Sequence, residues 1–190
     1  MKKKVLITIA LSVLLAGNPV TSWNTQSIFA EASNTTQEGK YDTYFAEYRK
    51  QVNPELWEKY DDYVIYFYAN HNYDSYQLTA LNTYEKNKKL KKSTIPKGKT
   101  AMKNIVIPNY KKFLAGIKSI KPTQPELIAI HNKLIKATSI RLEALMLYQQ
   151  YISSKNLDER FVEKHYTKMN AANALSLEFR QEISDYAEQF

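Results

Sequence analysis

Three histidines, one run of lysines and an unusual number of tyrosines are the side chains in this chain best equipped for chemistry. His71 stands in a polar break, Asn70-His71-Asn72. His131 and His165 each fall on the apolar stripe of a segment with helical spacing, where a lone imidazole is usually a hydrogen-bonded core residue. If those two segments pair antiparallel, residue 131 faces the C-terminal part of the last helix, far from 165. A shared His131–His165 metal site is therefore not expected, and no metal ligand is assigned. Neither Glu-x-x-His nor His-Glu-x-x-His occurs. The absence of cysteine excludes a disulfide framework, a thiolate metal site and a cysteine nucleophile. Gly-x-Ser-x-Gly, the Walker loop and Gly-x-Gly-x-x-Gly are missing as well. Asp61-Asp62 is a carboxylate pair, but neighbouring helix positions point about 100° apart, so spacing does not make it a catalytic dyad. Arg141 and Glu143 can serve either a polar contact with another helix or the solvated surface. These residues predict a protein that is not an enzyme and needs no cofactor. The competing expectation is a helical enzyme or metal-binding protein built around His71 or His131.

The lysines point elsewhere. Twelve lie between Lys86 and Lys121, and no Asp or Glu stands between Glu85 and Glu126. The formal net charge is +8, yet the rest of the chain beyond Ala32 is net acidic. A run of like charge repels itself unless water or an anion surrounds it. The candidate anion-binding residues are Lys86, Lys88, Lys89, Lys91, Lys92, Lys97, Lys99 and Lys103. Their expected partner is an anionic cell-wall polymer or membrane surface, or a protein partner. Nucleic acid is disfavoured because this run contains no arginine, the residue suited to bidentate phosphate and base contacts. Ten of the fifteen tyrosines lie between Tyr41 and Tyr84, too many for one helical stripe. They suit either a tyrosine-rich core with hydroxyls at its rim or an exposed surface for glycan or protein.

The elements that must position these residues are helical. Tyr41, Tyr44, Phe45 and Tyr48 follow i, i+3, i+4, i+7 spacing in a short N-terminal helix. Asn53, Pro54 and Glu55 form a helix start, with Leu56, Tyr60, Tyr63 and Phe67 on one stripe. The pattern breaks at Asn70-His71-Asn72 and restarts with Asp74 and Gln77 as a capping box. Ser93 to Gly98 reads as a loop, since it holds both Pro96 and Gly98. A helix from Ala101 is kinked or restarted at Pro108. Thr123 and Glu126 make a second capping box ahead of a long helix. In that helix Ile128, His131, Ile135, Thr138, Leu142, Leu145, Gln149 and Ile152 step by three and four. Leu127, Ile130, Leu134 and Ala137 form a neighbouring stripe, so the apolar face is wide enough for two neighbours. After Ser154-Lys155-Asn156, Val162, His165, Met169, Ala172, Ser176, Phe179, Ile183, Tyr186 and Phe190 repeat the step. The fold expected is all-α: an up-down helical bundle with a long C-terminal antiparallel helix hairpin over about Thr123 to Tyr186.

Residues 1–32 read as a signal peptide and 33–190 as a single helical-bundle domain. Lys2-Lys3-Lys4 is followed by an apolar run from Val5 to Ala16, too short to span a bilayer as a helix. Ala30-Glu31-Ala32 supplies small residues before a cut at Ser33. Leu15-Ala16-Gly17 begins a lipoprotein box, but Asn18 stands where cysteine is required, which excludes lipid attachment there. The expected location is secreted, in or beyond the cell wall.

One stretch resembles a known group. Ile107-Pro108-Asn109-Tyr110-Lys111-Lys112-Phe113-Leu114, then Ile120-Lys121-Pro122-Thr123, Glu126-Leu127 and Ile130-His131-Asn132, resemble a pattern in small secreted helical proteins and lipoproteins of Bacillus-type Gram-positive bacteria. The lysine-rich start looks similar to theirs. The resemblance implies a helical, exported protein without assigned chemistry, and it contributes no catalytic residue.

Overall fold

A computed structural model describes residues 45–88, 91–154 and 156–190. The signal segment, Tyr41 and Tyr44 lie outside the described residues. Among the described residues there are helices and turns but no strand, as the spacing predicts. A helical turn at residues 45–49 leads to a 3-10 turn, Pro54–Leu56, whose entry is capped when Glu55 N–H donates to Asn53 Oδ1 at 3.2 Å. Then come α1 (Trp57–His71), α2 (Asp74–Asn87), α3 (Ile95–Ala101), α4 (Ile107–Ser119), α5 (Pro125–Ser153) and α6 (Glu159–Ala187).

The polar break at Asn70-His71-Asn72 divides α1 from α2, but not through a capping box. Asp74 is already inside the helix and carries no cap bond; its carboxylate turns back to His71 Nδ1 at 3.0 Å. The expected loop at Ser93–Gly98 is instead helical. A 3-10 turn over Lys92–Thr94 runs into α3, which places Pro96 in its first turn and buries Gly98. Proline at a helix start costs no hydrogen bond, because the N–H groups there have no partner within the helix. The proline and glycine that suggested a loop therefore begin a short helix. A π turn, Met102–Val106, joins α3 to α4 just ahead of Pro108. Pro108 has no N–H, and its ring would crowd the Asn104 carbonyl in a regular α-turn; the wider turn absorbs both problems without breaking the rod.

The second expected capping box is also replaced. Gln124, not Thr123, occupies the N-cap of α5, and no side chain of that segment caps it. Asp62 on α1 does so from across the fold. Its buried carboxylate accepts from Thr123 N–H at 2.9 Å and Gln124 N–H at 2.9 Å. Asp61 points away and pairs with Arg49 at 2.7 Å, so the two neighbouring carboxylates do unrelated work. Gly116 on α4 lies against the Tyr73 ring, so closely that a Cβ there would overlap it.

The α5–α6 pair forms the expected hairpin. Its turn contains Leu157 at φ 51°, and Asp158 then caps α6 by accepting from Arg160 N–H at 3.1 Å. The buried line of α5 runs through Leu127, Ile130, Leu134, Ala137, Arg141, Ala144 and Tyr148. It is centred on the stripe beside the one starting at Ile128. Ile128 itself is exposed, and Ile135, Leu142 and Gln149 are half-buried. The wide face of α5 packs on both α4 and α6, so its centre falls between two candidate stripes.

Register follows from three contacts. Asp62 meets Gln124, Tyr66 meets His131, and Tyr84 meets Tyr148. Thus α1 and α2 together form one broken rod parallel to α5. The rod α3–α4 and the helix α6 run antiparallel to it, which gives the up-down order.

Candidate functional site

Most of the described tyrosines are core residues; Tyr166 is exposed. Tyr60, Tyr63, Tyr66, Tyr84, Tyr110, Tyr148 and Tyr186 are buried, and Tyr48, Tyr68, Tyr73, Tyr76 and Tyr151 are half-buried. Helix α1 is packed on several sides, so positions off its main stripe, such as Tyr66, are still enclosed. Two aromatic clusters result. One gathers Tyr60, Tyr63 and Tyr186 around Phe190, with the Tyr60 and Phe190 rings 5.4 Å apart. The other places Tyr84, Tyr148 and His165 together, with Tyr84 and Tyr148 rings 5.2 Å apart. Burial pushes the phenols of Tyr63, Tyr66, Tyr84, Tyr110 and Tyr148 up, and that of Tyr186 up to about 12. They stay protonated near neutrality and are unsuited to act as bases. The expectation of a tyrosine face open to glycans is not met by the residues described.

The histidines fill distinct places. His165 is fully buried; its Nδ1–H donates to the Ala144 carbonyl at 2.8 Å and its Nε2 accepts from Tyr84 O–H at 2.8 Å. Both ring nitrogens are satisfied by the neutral tautomer. Burial holds its pKa below the ordinary value, with the Lys88 charge adding to the effect and the Ala144 carbonyl opposing it. His131 lies edge-on to Tyr66, with Nδ1 at 3.2 Å from the hydroxyl. Burial and the Lys121 charge lower its pKa against the Ile117 carbonyl. His71 is exposed and faces Asp74. Burial raises the Asp74 carboxyl, while His71 opposes that shift. Among the described residues, no group of three His, Cys, Asp or Glu side chains could hold a metal ion.

The lysine run is distributed differently from its sequence. Tyr148 O–H donates to the Lys88 carbonyl at 2.9 Å, which sets the end of α2 beside the last turns of α5. Lys86, Lys91, Lys97 and Lys103 are exposed around that end, and Lys99 is half-buried. Helix α4 then carries Lys111, Lys112 and Lys118 back towards the other end, where Thr123 meets Asp62. The charge therefore forms a stripe along the bundle rather than a cap on one end. At 1.5 Å per residue, Lys111 to Lys118 on α4 extend it about 10 Å. Lys88 drops out of the free set, because it pairs with Glu85 at 2.5 Å and lies 5.9 Å from the Tyr84 ring centre. Lys112 lies over the Tyr76 ring at 5.5 Å. Lys89 and the side chain of Lys92 fall outside the described residues. Lys86, Lys91, Lys97, Lys103, Lys111 and Lys118 are exposed and have no ion-pair partner among the described residues.

One charged residue lies deep in the fold. Arg141 is 1% exposed, and among the described residues its guanidinium reaches neutral partners: Asn173 Oδ1 at 2.7 Å and Ser176 Oγ at 3.1 Å on α6, and the Tyr110 hydroxyl on α4. Glu143, its neighbour in sequence, is exposed and pairs with Lys168 at 2.6 Å. The helical step told the two apart in principle, since only Arg141 falls four residues after Ala137 on the buried line.

No protein-family model, characterised protein or solved structure matches this chain.

Proposed function

We propose that the protein is exported and attaches to an anionic polymer of the cell wall through its lysine stripe, without catalysing a reaction. The observation that carries this reading is the set of exposed lysines on α2–α4 without ion-pair partners among the described residues. Elsewhere several half-buried lysines are neutralised at home: Lys133 by Glu178 and Glu182, Lys168 by Glu143, Lys59 by Glu126. Six cations left open along one segment create a field that draws a flexible polyanion. Lysine is a mobile point charge, so binding should be strong in charge and weak in stereochemical preference. A stripe also suits a chain-like ligand better than a compact one. Export rests on Lys2-Lys3-Lys4, the apolar run after them and the small residues before Ser33.

Co-sedimentation with purified Gram-positive walls, with and without their teichoic acid, tests the reading. Retention should require teichoic acid and fall steeply between low and high salt. The quadruple variant Lys91→Gln, Lys97→Gln, Lys103→Gln and Lys111→Gln should stay in the supernatant. Retention that is indifferent to both salt and these substitutions refutes the proposal.

A further inference from the structure

The core of the bundle contains a polar layer that its own residues do not complete. With the register set by Asp62–Gln124, Tyr66–His131 and Tyr84–Tyr148, Gln77 on α2 lies level with Arg141 on α5. The Tyr110 hydroxyl on α4 faces the Arg141 guanidinium, whose charge and hydrogen bond both work against the upward push of burial on that phenol. Arg141 Nη2 is used by Asn173 and Ser176, and apart from the Tyr110 hydroxyl its Nε–H and Nη1 hydrogens find no acceptor. The Thr138 hydroxyl and both amide atoms of Gln77 are also buried without a hydrogen-bond partner. Arg141 makes no ion pair with any described residue. Its charge adds to burial in disfavouring the charge of Arg180 on α6. A buried charge without a counter-charge is strongly destabilising, and a guanidinium cannot escape by losing its proton. The layer thus offers a fixed cation, spare N–H donors and two hydroxyls, and it lacks one thing, a negative charge.

We propose that this Arg141 layer binds a small monoanion of the carboxylate class inside the bundle. One guanidinium without a counter-charge calls for one negative charge. Its spare N–H bonds lie in the guanidinium plane and suit a planar acceptor. The Tyr110 and Thr138 hydroxyls supply further donors. Asn173 and Arg180 are only half-buried, so the guanidinium sits one side chain beneath the α6 surface. This site is independent of the lysine stripe: it is buried, selective by shape and little affected by ionic strength.

The test is thermal unfolding of the purified protein at constant pH and ionic strength, with chloride replaced stepwise by acetate. A saturable rise in Tm is expected, about 3–6 °C at tenfold excess over Kd. Arg141→Met, which keeps the volume and removes the charge, should be at least as stable without acetate and should not respond to it. An equal response in Arg141→Met, or none in the parent, overturns the proposal. A response to phosphate but not to acetate overturns the assigned class. If Arg141→Met does not fold, the Nε–H resonance of Arg141 in the parent decides by nitrogen-15 NMR. It should shift saturably with acetate, and a resonance that does not move refutes the site.

Discussion

The molecule leaves positive charge without a carboxylate in two very different places. On α2–α4, Lys91, Lys97, Lys103 and Lys111 stand in water. On α5, Arg141 stands in the core. Water solvates the lysines, so each can remain unpaired at almost no cost to folding, and their accumulation acts at long range. Arg141 has lost its water, so its charge must be answered within bonding distance. The same formal charge therefore predicts an extended, salt-sensitive partner on the surface and a small, fitted one inside.

The largest effect should come from adding an unanswered charge to the core. Leu134→Asp buries a carboxylate at a fully enclosed position and should cost about 4 kcal/mol or more, read by urea unfolding. Leu142→Asp should be milder, because Leu142 is only half-buried beside the main line. Thr138→Asp sharpens the contrast. Residue 138 is as buried as 134 but lies one turn before Arg141, where a carboxylate could supply the missing counter-charge. It should be better tolerated than Leu134→Asp by about 2 kcal/mol and should abolish the acetate response. Equal damage from the two carboxylates would mean that Arg141 does not lack an anion.

Next comes the cap that ties the first rod to the hairpin. Asp62→Ala removes the acceptor for Thr123 and Gln124 N–H, and should cost about 2 kcal/mol in urea unfolding. A loss no larger than that of an exposed alanine substitution would show that water caps α5 equally well.

Much of this was legible in the sequence and some was not, for identifiable reasons. Helix positions and the hairpin follow from apolar spacing over long stretches, as in Phe179, Ile183 and Tyr186. The Asn53 cap is legible, but the start of α5 is not, because its acceptor comes from Asp62, some sixty residues away, and local spacing cannot show a tertiary cap. Ser93–Gly98 was misread because Pro96 breaks a helix only when it is not at the start of one. The lysine run was visible in full, but not its course, which depends on α4 folding back along the bundle. Arg141 gave a signal in its step from Ala137. Its isolation from carboxylates appears only when α4, α5 and α6 are packed together.

A smaller effect should follow pH. Burial holds both His131 and His165 below the ordinary histidine value of 6.5. As pH falls through that value, the unfolded chain takes up protons that the folded chain refuses, so stability declines. Asp74 acts in the opposite sense at lower pH. Its carboxyl is raised by burial, so the folded chain is protonated first and gains stability as pH drops towards the ordinary carboxylate range. The urea midpoint should therefore fall between pH 7 and 5.5, with a shallower fall in His131→Gln. A flat profile in the parent would contradict the burial of neutral imidazoles. Least of all should folding notice the lysine stripe: the four-lysine glutamine variant should keep the parent's urea midpoint, since glutamine retains helix propensity and those side chains are exposed.

The division of labour between the two cationic regions is tested most directly by the affinity of purified teichoic acid for three proteins across a range of salt. The parent should bind with an affinity that falls steeply as salt rises. Arg141→Met should follow the same line, and the Lys91, Lys97, Lys103 and Lys111 glutamine variant should lose most of the affinity and most of the slope. Undiminished binding by the lysine variant, or loss of binding in a folded Arg141→Met, would contradict the account.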